Sequence, residues 1–313
     1  MGERNFYKID GRILSTPSKD LGPAEKVAEE KYVNEFMDDL FSAGKDSVYG
    51  ELIKADEELL MIKDFDKYIR AEAIDLGVKD LRRPLSTRKI HFALPSGYQK
   101  QFPHLQPTAE GNYEIWPDAI YIKKNKDINR WDIAHVTLHE MIHAYSAIRY
   151  DLDAIGNINS AKLGYQTATM VKNESAKSTE GAEVEPDVSR LFLGFNEAIT
   201  DLMTQEILTE HQAELTRDLK LSAEEIAASS SDRYGYCDAV EWIIAKIAEK
   251  NQEDKSVVWN KFKLGMLTGK IMHLREIEKT LGTGALRLIA NMGNSREDNL
   301  AVGAFMKNYD KNN

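Results

Sequence analysis

Five residues constrain this chain more than any others: His139-Glu140-Met141-Ile142-His143, set inside a segment with helical periodicity. Trp131, Ile133, Val136, Leu138, Ile142 and Tyr145 recur at the spacing of a helix, and Asp127 or Asn129 stands where a cap is needed. On a helix, residues four apart lie one above the other, so both imidazoles can reach a single ion. The residue after the first histidine then flanks the open side of that ion. A glutamate there can take a proton from a water that the metal has acidified. Leu138, Met141 and Ile142 make the helix largely apolar, which implies burial, and buried imidazoles and carboxylates need partners of the kind a metal supplies. His135 adds one more histidine to the same face. Two helical steps of about 6 Å each separate it from His143, so it is expected as a pocket or core residue and not as a ligand.

A catalytic zinc takes three protein ligands and keeps one position open. A third histidine six residues after the second is ruled out, because Arg149 stands there and Ser146 replaces the intervening glycine. Asp151 and Asp153 follow the helix but lack the Gly-Thr-x-Asp context of an aspartate ligand. The segment Asn196-Glu197-Ala198-Ile199-Thr200-Asp201 fits better. Glu197 and Asp201 are two acids at i and i+4 beside an apolar stripe of Phe195, Ile199, Leu202 and Met203, with no lysine at helical spacing. Like charges at that spacing repel, and a cation between this helix and another would remove the cost. Glu197 is therefore expected to bind the metal, with Glu206 on the same helix as its competitor. Asp201 is expected to accept a hydrogen bond from a ligand histidine and so fix its tautomer.

His139-Glu140-x-x-His143 followed by Asn196-Glu197-x-x-x-Asp201 resembles the gluzincin metallopeptidases, in the broad bacterial set that includes toxin-like members. The resemblance spans about residues 89–250. It implies an α+β, zincin-like fold: a small twisted sheet with the active-site helix, then a mainly helical subdomain that returns the third ligand. It implies Zn²⁺ as cofactor, a peptide or protein as substrate, and Glu140 as general base. A tyrosine near Tyr234-Gly235-Tyr236 could donate to the oxyanion; Tyr236 is the choice, with Tyr234 and Tyr165 as alternatives. No Gly-x-Met-Glu-Asn segment, the amine anchor of related aminopeptidases, is present, which favours an endopeptidase. The alternative is a zinc-binding scaffold or catalytically relic protein, against which the retained Glu140 argues, since a structural site needs no base. A chance motif in an unrelated helical protein is the third reading.

The remaining sequence supplies the frame. Four parts are expected: 1–88 helical, 89–170 with the sheet and active-site helix, 171–190 a flexible loop, and 191–313 helical. Residues 1–22 read as a polar lead-in, and helical spacing runs from Pro23 to Gly77. Strands are expected over 89–94, 113–116 and 119–122, the last offering an edge to an extended peptide. Residues 172–188 hold almost nothing to bury, and read as a mobile surface loop that could act as a lid. Helices are expected near 195–214, 222–229, 237–250, 255–268 and 270–291.

Lys+Arg total 41 against Asp+Glu 51, a net charge of -10, which disfavours nucleic acid and anionic membranes as partners. No run approaches the length of a membrane span and no basic-then-apolar leader opens the sequence, so a cytoplasmic location is the default expectation. The one cysteine, Cys237, excludes an intrachain disulfide and a multi-cysteine metal site, and reads as a small buried residue. The sequence sets no oligomeric state.

Overall fold

A computed structural model describes residues 4–9, 12–15, 48–79, 81, 84–103, 105–114, 118–125, 129–152, 158–171, 187–227 and 235–312. Strands β1 (Arg4–Ile9), β2 (Arg12–Ser15) and β3 (Glu51–Leu52) precede helix α1 (Asp56–Asp75). Then follow β4 (Ile90–Ala93), α2 (Pro95–Gln101), β5 (Gly111–Glu114), β6 (Ala119–Lys123) and α3 (Arg130–Tyr145). β7 (Ile148–Leu152), β8 (Ile158–Leu163), β9 (Gln166–Val171) and β10 (Asp187–Leu191) lead to α4 (Leu193–Glu210), α5 (Gln212–Asp218) and α6 (Ala223–Ala227). The chain ends on α7 (Cys237–Asn251), α8 (Lys255–Thr268), α9 (Arg275–Leu281), α10 (Ala285–Asn291) and α11 (Arg296–Asn312). The class is mixed α+β. Among the described residues no helix is long and apolar enough to cross a membrane.

The chain divides into two compact units, one of Met1–Val33, Ala147–Ile199 and Gly235–Asn313, the other of Asn34–Ser146 and Thr200–Tyr234. Helix α4 runs through the division.

The second unit holds a four-stranded sheet in the order β3-β4-β6-β5. β4 and β6 are parallel, and the other pairs are antiparallel. Ile90, Phe92, Ile120 and Ile122 are buried and, by register and alternation, share one face. The opposite face packs Ala93, Ala119 and Tyr121 against Tyr98 and Phe102. The strand at 119–122 was expected to offer an edge. It lies between β4 and β5 instead, so its backbone is paired on both sides, and among the described residues β5 is the edge strand on this side of the sheet. In the same unit α1 meets α3 through Tyr145, whose hydroxyl donates to Asp66 and accepts from Leu85 N at 3.2 Å. α1 meets α5 through Tyr68, stacked on His211 and donating to Glu214 at 2.7 Å.

The first unit holds a six-stranded antiparallel sheet in the order β10-β9-β8-β7-β1-β2. This corrects two expectations. The polar lead-in contains β1 and β2, and the expected helical N-terminal extension is in part strand. Two short runs, Arg4–Ile9 and Arg12–Ser15, flank Asp10-Gly11, a dipeptide typical of hairpins. Of the N-terminal helical pattern, Leu52 lies in β3 and Leu59, Leu60 and Ile62 lie in α1, while Tyr32, Phe36, Leu40 and Phe41 fall outside the described residues. Of the expected loop at 172–188, residues 172–186 lie outside the described residues, and Asp187 and Val188 open β10.

Helices α7 and α8 stand close to the expected bounds. α8 is capped by Asp254, which accepts from Ser256 N at 2.7 Å, and ends on Gly269 with φ 70°. The single helix expected over 270–291 is broken. Gly282 and Gly284, at φ 97° and 91°, adopt backbone that a helix does not use, and α9 and α10 lie on either side of them.

Candidate metal centre

Helix α3 begins where the sequence asks it to. Asn129 is the cap, its side chain accepting from Trp131 N at 2.9 Å, while the alternative cap Asp127 lies outside the described residues. The start is also clamped. Asn129 Nδ2 donates to Glu225 O, and the Arg130 guanidinium grips Glu225 with two bonds of 2.9 and 2.8 Å and the carbonyls of Leu219 and Lys220. Thirteen of the sixteen residues of α3 are buried, so the expected apolar environment is present.

His139, Glu140 and His143 are all at most 8% exposed. The two imidazole rings meet edge to face, with His139 Nε2 and His143 Nε2 3.1 Å apart. Each ring turns its other nitrogen elsewhere: His143 Nδ1 lies 3.5 Å from Thr200 Oγ1, and His139 Nδ1 lies 4.0 Å from Asp201 Oδ1. A carboxylate beside Nδ1 favours a proton on that atom, which leaves the Nε2 lone pair facing its neighbour. With the His143 proton also on Nδ1, towards Thr200 Oγ1, both Nε2 lone pairs would face each other, an arrangement that a cation against both relieves. Ligand atoms about 2.1 Å from a tetrahedral ion stand roughly 3.4 Å apart, so the observed spacing suits a shared ion to within a few tenths of an ångström.

The third donor is on α4. Ligand atoms of His139, His143 and Glu197 all lie within 4.8 Å of one another, and Glu197 is half-buried. This buried-to-half-buried group could hold a metal ion. Among the described residues Glu206 is not part of it. The start of α4, which sets the direction of Glu197, is pinned by backbone bonds. Phe192 N donates to Ala290 O at 2.6 Å and Gly194 N to Met292 O at 2.8 Å. Asn196, fully buried, turns its Oδ1 onto the β8–β9 turn and accepts from Tyr165 N at 2.9 Å and Gln166 N at 3.4 Å. The asparagine of the Asn-Glu pair thus anchors the helix that carries the glutamate.

Asp201 was expected beside a ligand histidine. Its carboxylate is fully buried, and Oδ1 lies 3.1 Å from His135 Nε2 as well as 4.0 Å from His139 Nδ1. Oδ2 accepts from Gln205 Nε2 at 2.8 Å. His135, outside the three-residue metal group, is therefore the second imidazole on the Asp201 carboxylate. Its i−4 relation to His139 was legible, but its partner was not.

The tyrosines separate by where their protons go. Tyr165, 1% exposed, donates to Phe262 O at 2.8 Å, so His273 Nε2, 2.6 Å away, must donate to it. Desolvation holds the Tyr165 hydroxyl well above the usual phenol range. Its proton is committed inside the core. Tyr236, just before α7, is half-buried and accepts from Asn299 Nδ2 at 3.4 Å, which leaves its own proton to donate. Tyr234 lies outside the described residues. Cys237 is buried as expected, its thiol 3.8 Å from Ala198 O.

Neither a family model, nor a curated protein, nor a solved structure matches the chain. The functional reading therefore rests on these residues and their geometry.

Proposed function

We propose that this chain is a zinc-dependent peptidase of the gluzincin type, with a zincin-like arrangement of sheet and active-site helix. The observation that carries the reading is the convergence of His139, His143 and Glu197 within 4.8 Å, with Glu140 on the same helix. Two imidazoles and one carboxylate are the donor set of catalytic zinc sites that keep an open position.

When bound, zinc lowers the pKa of water and polarises a carbonyl, which is the Lewis-acid part of peptide hydrolysis. The residues of this chain do the rest. Glu140 accepts the proton of the attacking water on its carboxylate and passes it to the leaving nitrogen. Tyr236 donates its hydroxyl proton to the oxyanion as charge develops there. The outer edge of β5, paired on one side only among the described residues, gives an extended peptide backbone something to hydrogen-bond, which favours an endopeptidase.

The test is Glu140→Gln. Wild type is expected to bind one equivalent of zinc and to cleave members of a peptide library. The variant is expected to keep the zinc and lose cleavage. One equivalent of zinc without cleavage in the wild type would instead favour a zinc-bound scaffold. A wild-type chain that takes up no zinc would reject both.

A further inference from the structure

We infer that Gly111 is a positioning residue for Glu140, an inference that rests on the general-base role proposed above. Gly111 opens β5, the edge strand beside α3. A Cβ placed on it would lie 2.6 Å from Val136 Cγ1, 2.8 Å from Glu140 Oε1 and 2.9 Å from Glu140 Cγ. Real Cβ atoms essentially never come within 3.0 Å of a heavy atom in this way. Val136 and Glu140 are one turn apart on α3, so the bare α-carbon of Gly111 covers both side chains at once. Gly111 is not among the glycines of positive φ, so backbone freedom does not explain it. A glycine within a strand weakens pairing, and it is kept where something must approach closely. Here that something is the glutamate.

The direction of the effect follows from stiffness. Val136 is β-branched and held to one rotamer in a helix, whereas the Glu140 side chain has three rotatable bonds. A methyl group at position 111 therefore moves the carboxylate more than the valine. A general base works only within hydrogen-bond reach of the proton it takes, and a misplacement of about 1 Å costs on the order of 10²-fold in rate. Neither His139 nor His143 supplies any of the three atoms nearest to that Cβ position, all of which belong to Val136 and Glu140. Metal binding and base placement are thus separable at this position.

The experiment compares wild type, Gly111→Ala and the double variant Gly111→Ala/Val136→Ala, each loaded with zinc. In Gly111→Ala the crystal structure is expected to show the Glu140 carboxylate moved by about 1 Å, with both histidines in place. Zinc affinity is expected to stay within about twofold, while kcat falls on the order of 10²-fold at nearly constant KM. In the double variant the new methyl has the space of Val136 Cγ1 to move into, and kcat is expected to recover at least in part. An unmoved Glu140, or a kcat near that of wild type with Glu140 displaced, would overturn the inference. If the wild-type chain cleaves no peptide, the peptidase reading fails, and the crystallographic comparison still decides the placement of Glu140 by Gly111.

Discussion

One carboxylate oxygen of Asp201 lies 3.1 Å from His135 Nε2 and 4.0 Å from His139 Nδ1, close enough for the carboxylate to become the partner of the ligand histidine, and its second oxygen accepts from Gln205. A partner of this kind orients a ligand histidine and raises its basicity, and its loss typically costs 10–100-fold in metal affinity. Asp201→Asn keeps the shape and removes the charge. It is expected to weaken zinc binding by roughly that factor in competition with a chelator. Affinity equal to that of the wild type would remove Asp201 from this role. At this scale the sequence exposed the two histidines and the glutamate between them, because helical spacing alone brings such groups together. It did not expose Gly111, whose requirement is space beside a helix that is near it only in the folded chain. Nor did it show that the Tyr165 proton is committed to Phe262, which depends on a residue 97 positions away.

Helix α3 was the most legible element, since cap, periodicity and burial all agree on it. The two histidines ride within its last two turns, and Asn129 stands at its start. Asn129 does two jobs there, accepting from Trp131 N and donating to Glu225 O. Asn129→Ala is expected to lower stability to denaturant by at least about 1 kcal/mol, the usual cost of a lost cap, with further loss from the freed Glu225 carbonyl. An unchanged unfolding midpoint would show that Arg130 alone holds this end. The six-stranded sheet was the least legible part. Its strands are four to six residues long, and β1 and β2 pair beside β7, which follows them by more than 130 positions. Such pairing is set by distant partners and leaves only a short local pattern. The Asn-Glu pair at the start of α4 was readable as chemistry, but the anchoring role of Asn196 appeared only with the β8–β9 turn in place.

At the scale of the whole molecule, the chain passes between its two units at four points, one of them immediately after α3 and one inside α4. Burial of titratable groups then ties stability to pH. Desolvation, aided by Lys261, pushes His273 down to about 4 in the folded chain from an ordinary value of 6.5. The unfolded chain binds that proton first, so the stability associated with neutral His273 is present above pH about 6.5 and is lost as pH falls from there towards about 4. The thermal midpoint of wild type is expected to drop across this window more steeply than that of His273→Gln; parallel profiles would contradict the assignment. The central claim is that His139, His143 and Glu197 hold one zinc ion. Zinc K-edge X-ray absorption of the stoichiometrically loaded wild-type chain tests it most directly. The account predicts two imidazole nitrogens at about 2.0–2.1 Å with the remaining ligands oxygen, and a spectrum showing fewer than two imidazoles, or sulfur from Cys237, would contradict it.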